Sequence, residues 1–270
     1  AASPVNAAAS AMAGVADDID GNMRNILTPD IGADEFNLNL EADVLNFDGV
    51  DDKVALPDSF TQAFTSTSVT EFTIEYWFKG TNLQSAVRLQ TSSSNFIVAG
   101  WGSNLSAQKH IISSDGGIGG GVKVGSGVYD GKWHHVAVTW KKNTVNGFRS
   151  YLDGALVEAK NAGNVSLPSL ATGGFIGCQY NNTEFVNGTL DEVRIWTKAL
   201  SEYEIAINRF SEISSASGLL ASYHFNHGIA AGNNPGVTTL ADSSGNGYHG
   251  TLNNFALAGE TSNWLFPGPG

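Results

Sequence analysis

Cleaving a glycosidic bond takes two carboxylates facing each other across the sugar, about 5–10 Å apart. On a strand, where alternate residues face the same way, that requirement shows as a run such as Glu-x-Asp-x-x-Glu. The chain has no such run; Glu71 and Glu75 flank an apolar stretch but lack the central Asp. His134 and His135 are adjacent, so on a strand they point to opposite faces and do not easily share a metal ligand. No serine stands in a nucleophile elbow, and nothing around Cys178 marks a catalytic thiol. The run Gly116-Gly117-Ile118-Gly119-Gly120-Gly121 lacks the Lys-Ser/Thr of a phosphate loop and reads as a connection between strands. The chain is therefore expected not to be an enzyme in its own right, with no catalytic residues.

Cation chemistry is better provided for. Calcium takes six to eight oxygens from carboxylates, amides and backbone carbonyls. Asp242-Ser243-Ser244-Gly245-Asn246-Gly247 offers a carboxylate, an amide and turns that expose carbonyls; Asp48, Asp51 and Asp52 form a second acidic group.

The elements that must position these groups follow from composition and alternation. Of 270 residues, 41% are hydrophobic, enough for a packed core, while only 15% are charged, against roughly 25% in an average soluble domain. The 32 glycines have no fixed period, and together with many aromatic and β-branched residues they imply short strands joined by turns. The net charge of −12 repels phosphate backbones, which argues against nucleic acid as a partner. A single cysteine excludes an internal disulfide and a zinc cysteine cluster. No apolar run reaches the roughly 18 residues a membrane-spanning helix needs.

Alternation marks strands at residues 44–47, 72–78, 133–140, 148–152, 155–157 and 189–196. Phe72, Ile74, Tyr76 and Phe78 share one face, and Trp133, Val136, Val138 and Trp140 are expected to supply core area. Asp153-Gly154 between two strand patterns is a hairpin turn, since both residues tolerate positive φ. One helix is expected after Ser201, where Ser201-x-x-Glu204 forms a capping box and Ile205 and Phe210 face inward. Many strands and one short helix predict an all-β, two-sheet antiparallel sandwich.

The ordered segments Leu45-Asn46-Phe47-Asp48-Gly49-Val50-Asp51-Asp52, Phe72 to Trp77, Asp130-Gly131-Lys132-Trp133-His134-His135, Tyr151-Leu152-Asp153-Gly154, Phe175-Ile176-Gly177 and Asn187-Gly188-Thr189-Leu190-Asp191-Glu192-Val193-Arg194-Ile195-Trp196 resemble the laminin-G-like, pentraxin-like jelly roll of the concanavalin A-like group. The resemblance implies two antiparallel sheets, one concave, over residues 39–266, followed by a tail at 267–270. A seventh segment, residues 218–252, is expected to complete the sandwich; the rival reading is the start of a truncated second repeat. Residues 1–38, with Asp18-Ile19-Asp20-Gly21-Asn22 and Pro29-Asp30-Ile31-Gly32, look like the closing segment of a right-handed parallel β-helix. The chain is thus expected to be a piece of a larger secreted or cell-surface bacterial protein.

The resemblance also implies residues. It brings Asp191 to the 242–247 loop, giving a structural calcium held by Asp191, Asp242 and Asn246 with carbonyls near Gly247 or His249. After Gly177, where pentraxins place acids for calcium-dependent ligand binding, this chain has Cys178-Gln179-Tyr180-Asn181-Asn182-Thr183-Glu184. Amides replace most of the acids, so direct glycan contact is expected instead, through Gln179, Tyr180, Asn181 and Asn182 with Arg88 and Trp101. The partner is then a polysaccharide or cell-surface glycan, the isolated domain is a monomer, and the function is a non-catalytic carbohydrate-binding or adhesion module. The alternatives are a structural spacer and an accessory module of a polysaccharide-degrading enzyme.

Overall fold

The computed structural model describes residues 44–258 and 263–265, except 83, 91–94, 102–108, 114–120, 165, 180 and 231. The expected β-helix remnant at 1–38 and the tail at 267–270 lie outside the described residues.

Sixteen strands and two short helices make up the described chain. In order they are β1 Val44–Asp48, β2 Lys53–Ala55, α1 Asp58–Phe64, β3 Glu71–Asn82, β4 Val87–Gln90, β5 Phe96–Trp101, β6 Lys109–Ser113, β7 Val122–Lys123, β8 Trp133–Lys141, β9 Phe148–Leu152, β10 Ala155–Lys160, β11 Gly174–Ile176, β12 Asn187–Trp196, α2 Glu202–Asn208, β13 Leu219–Tyr223, β14 Thr239–Leu240, β15 Gly250–Asn253 and β16 Trp264–Leu265. The first sheet runs β10-β9-β8-β3-β12-β1-β16, with β13 also paired to β12; the second runs β14-β15-β2-β11-β4-β5-β6-β7. Every pairing is antiparallel. The fold is the all-β sandwich its alternation requires.

The core lies between the sheets. From the first come Phe72, Ile74, Tyr76, Phe78, Val136, Val138 and Trp140; from the second come Val54, Val87, Leu89, Ile97, Ile112 and Ile176. Trp133 does not join them, because it has the opposite parity to Val136 and remains partly exposed. Strands from the last fifth of the chain enter both sheets: β13 pairs with β12, β15 with β2 and β16 with β1. They thereby close the layers that the earlier strands begin.

Two local expectations change. Helix α1 was not foreseen, since its apolar period is a single turn: Phe60 and Phe64 stack 5.9 Å apart and bury against the core behind Pro57. Helix α2 has the capping box, Ser201 Oγ accepting from the Glu204 N–H. It ends at Asn208, however, so Phe210 lies beyond it and only Ile205 of the pair is buried. Asp153 (φ 53°) and Gly154 (φ 84°) form the expected turn between β9 and β10. Asp153 Oδ1 also accepts from the His135 N–H, and Asp153 Oδ2 lies 2.8 Å from His134 Nδ1.

A second, smaller core forms outside the first sheet. Ala137, Tyr151, Trp196, Leu200, Ile205 and Leu219 pack together there, under α2 and its flanking segments. Thr73 Oγ1 donates to the Lys198 carbonyl and accepts from the Leu200 N–H, tying that cover to β3.

Candidate functional site

The second sheet presents a polar and aromatic outer face. In β4, Val87 and Leu89 point into the core, so Arg88 and Gln90 must point away from it. Arg88 lies beside Phe175 on β11 and Val98 on β5, and Gln90 beside Phe96. The Arg88 guanidinium stands 5.3 Å from the Phe96 ring centre, and Lys53 Nζ on β2 lies 5.9 Å from that of Phe175.

The loop after β11 closes over this face. Gly177 starts it with φ 92°, and a side chain there would collide with the ring of Phe47. The loop is tied internally by Gln179 N–H to Thr183 O, Asn182 N–H to Gln179 O and Thr183 Oγ1 to the Gln179 and Asn181 side chains. It is tied to the sheet by Arg88 Nη1, which donates to Glu184 Oε2 at 2.8 Å and to Ser85 Oγ at 3.0 Å. Arg88 Nε donates to Gln90 Oε1, which also accepts from Gln179 Nε2 at 3.4 Å, and Lys53 Nζ donates to Asn182 Oδ1. Asn181 and Asn182 are exposed, and Gln179 and Glu184 are half-buried.

Of the residues expected to touch a glycan, the structure gathers Arg88, Gln179, Asn181 and Asn182 into one network. Arg88 is only 3% exposed. It holds Glu184, Gln90 and Ser85 in place and does not itself offer a surface to a ligand. Tyr180 and the Trp101 side chain lie outside the described residues. Sequence reasoning missed Gln90, Glu184, Phe96, Phe175 and Lys53. The alternation Val87-Arg88-Leu89-Gln90 was a usable signal, since it sets two polar groups on one face of an otherwise apolar strand.

The residues expected to hold calcium make protein hydrogen bonds. Asp242 Oδ1 accepts from the N–H groups of Ser222 and Ser244, and Oδ2 from Ser244 Oγ and the Tyr248 N–H, all at 2.9–3.0 Å. Four donors occupy the lone pairs that a cation would need. Asn246 Nδ2 donates to the Leu219 and Leu220 carbonyls, and His249 Nδ1 accepts the Asp242 N–H. Asn246 thus fastens the loop to β13. Asp191 sits in the β12 bulge, its Oδ1 accepting the Glu192 N–H. Burial, with Glu192 and Glu212 nearby, pushes its carboxyl well above the usual carboxylate range.

Among the described residues, one group of three or more acids, histidines or cysteines has ligand atoms all within 4.8 Å of one another: Asp48, Asp51 and Asp52. Burial pushes the Asp52 carboxyl up to about 6, and the charges of Asp48 and Asp51 add to this. Asp52 Oδ2 accepts from the Asp48 N–H and from Asn263 Nδ2. A divalent cation would relieve that crowding of negative charge, so this triad can hold a metal such as calcium.

The outer face of the first sheet is different. Glu75, His135 and Arg194 are fully buried there. Arg194 Nε lies 3.1 Å from Glu75 Oε1, which also accepts from Trp196 Nε1 at 3.0 Å, and His135 Nε2 lies 3.5 Å from Glu75 Oε2. Burial presses the Glu75 carboxyl upward, but the Arg194 guanidinium and His135 outweigh it and hold the value below the usual range. Burial lowers His135 against the pull of Glu75, which favours the neutral ring. His135 is thus placed as scaffold.

Residues 48–206 match the family model of the concanavalin A-like lectin/glucanases superfamily (laminin G type). The chain belongs to this superfamily. None of the curated proteins matches it. Among solved structures, this superfamily member is similar to a Bacteroides ovatus protein whose name carries a provisional assignment to carbohydrate binding, at 16% identity and a TM-score of 0.50 over 79% of this chain and 58% of that one. It is also similar to domain 4 of an extracellular arabinanase from Geobacillus stearothermophilus, solved with arabinotriose (18% identity, TM-score 0.39, 51% of this chain and 65% of that one). A heptameric pentraxin from Limulus polyphemus matches at 17% identity and TM-score 0.39 over 63% and 82% of the two chains. The chain spans less than two thirds of the first two, and at these identities the likeness is one of fold.

Proposed function

We propose that this domain is a carbohydrate-binding module of a secreted or cell-surface bacterial protein, taking its ligand on the outer face of the second sheet. The observation that carries this is the Arg88–Glu184–Gln90–Gln179 network under the 177–186 loop, flanked by the Phe96 and Phe175 rings. A sugar offers apolar C–H patches, which suit aromatic faces, and paired hydroxyls, which suit amides and carboxylates. Binding sites of this kind combine apolar walls with a few oriented polar groups. Glu184, Asn181 and Asn182 are the contact groups, and Arg88 is the positioning residue beneath them. The Asp48–Asp51–Asp52 triad takes a structural calcium on this reading.

A glycan array probed with the domain in calcium and in chelator tests this. Binding by the wild type that weakens at least tenfold in Glu184→Ala is expected. Silence across all glycans in both buffers would favour a structural spacer.

A further inference from the structure

Three polar side chains meet on the outer side of the first sheet, away from the proposed glycan face. Ser214 Oγ lies 3.1 Å from His224 Nε2, and the other ring nitrogen, Nδ1, lies 2.6 Å from Glu192 Oε1. We propose that Ser214, His224 and Glu192 form a nucleophile–base–acid triad that hydrolyses carboxylic esters.

Each member comes from a different element, and each is held. Glu192 sits in the bulge of β12, where pairing with β3 shifts register between Asp191 and Arg194. Its φ of 47° is a left-handed conformation that a non-glycine residue rarely adopts, so the surrounding strands impose it. His224 directly follows β13, the neighbour of β12. Ser214 lies in the connection from α2 to β13. Arg194 Nη1 pins the start of that connection by donating to the Asn208 and Ser211 carbonyls, both at 2.9 Å. His224 and Glu192 are 5% and 9% exposed, whereas Ser214 is open to solvent. A buried acid orients a buried imidazole toward an accessible hydroxyl, which is the arrangement that activates serine.

The chemistry balances without a cofactor. The Glu192 carboxylate accepts a hydrogen bond from Nδ1–H, which keeps that proton on the ring and turns the Nε2 lone pair toward Ser214. As Ser214 Oγ bonds to the ester carbonyl carbon, its proton moves to Nε2. The tetrahedral adduct collapses, the bond from carbon to the leaving oxygen breaks, and Nε2 returns the proton to that oxygen, releasing the alcohol. Water then attacks the acyl-serine and gives a proton to Nε2, which passes it to Ser214 Oγ as the carboxylic acid leaves.

The test treats the full chain with a fluorophosphonate probe, locates the adduct by peptide mass spectrometry, and follows 4-nitrophenyl acetate turnover alongside. The proposal expects an adduct on Ser214, loss of that adduct and of turnover above background in Ser214→Ala, and at least tenfold slower labelling in Glu192→Gln. Because Ser214 is exposed, its alanine variant keeps the fold, which circular dichroism checks. A folded wild type without adduct at Ser214, or turnover equal in wild type and Ser214→Ala, overturns the proposal and leaves the three residues as a brace for the α2–β13 connection. Glycan binding on the second sheet is read separately by the array, so either site can fail alone.

Discussion

Two arginine–glutamate pairs stand on the outer faces of the two sheets, and they differ in what covers them. On the first sheet, Arg194 and Glu75 are both wholly buried beneath α2 and its flanks. On the second, Arg88 is 3% exposed but its partner Glu184 is 30% exposed on a loop. The same two residue types thus do different work. A sealed pair cannot exchange its partner for anything else; it holds together the elements that share it, here β3, β12 and the carbonyls after α2. A pair with one member at the surface fixes that member's geometry and still leaves it a face toward solvent. Pre-organisation of this kind lowers the ordering cost of binding.

The largest expected effect comes from breaking the sealed pair. Glu75→Ala strands the Arg194 charge in the interior, and such a loss typically costs about 3–5 kcal/mol. Urea unfolding is expected to show that loss, while a change under about 1 kcal/mol would mean that α2 does not depend on the pair. Opening the second pair has a smaller effect on stability and a larger one on recognition. Glu184→Gln keeps the shape and removes the charge; as a partly exposed ion pair it is expected to cost about 1 kcal/mol or less. Isothermal titration with a glycan found on the array is then expected to show the affinity falling while the melting temperature barely moves. The reverse pattern would make Glu184 architectural, like Glu75.

The smallest effect sharpens the contrast through pH. The hydrogen bond with Asp153 raises the His134 value, burial opposes it, and Asp130 adds to the rise. A proton is therefore held more tightly in the folded state. The stability it supplies is complete below the unfolded histidine value of about 6.5 and is lost as pH rises through the higher folded value. His134→Gln is expected to flatten the stability profile above pH 6.5. Glu75, held low beside Arg194, is expected to give no transition in that window. A profile unchanged by His134→Gln would contradict the assignment.

Much of the scaffold was legible because its signal is local. Alternation assigned Phe72, Ile74, Tyr76 and Phe78 to one face, Asp153-Gly154 demanded a turn, and Ser201-x-x-Glu204 announced α2. Helix α1 was not legible, since one turn with Phe60 and Phe64 carries too short a period. The candidate site was half legible. The loop of amides after Gly177 was visible, but the role of Glu184 was not, because its partner Arg88 is 96 residues away. The bonding of the Asp242 loop was not legible for a related reason. Carboxylates and amides suit calcium and backbone N–H groups equally well: Asp242 accepts one N–H from Ser222 on β13 and three donors from Ser244 and Tyr248 of its own loop.

The amino-acid order alone determined that this chain makes two facing antiparallel layers, because a period of two leaves each strand one apolar side that must be buried. It also determined the turns, where residue chemistry dictates backbone angles. Tertiary structure alone decided which polar side chains meet: Arg194 with Glu75 under a helix, Arg88 with Glu184 beneath a loop, and Ser214 with His224 and Glu192. Strand neighbours in a sandwich come from distant parts of the chain, and the groups that project outward from them carry no period to announce their partners.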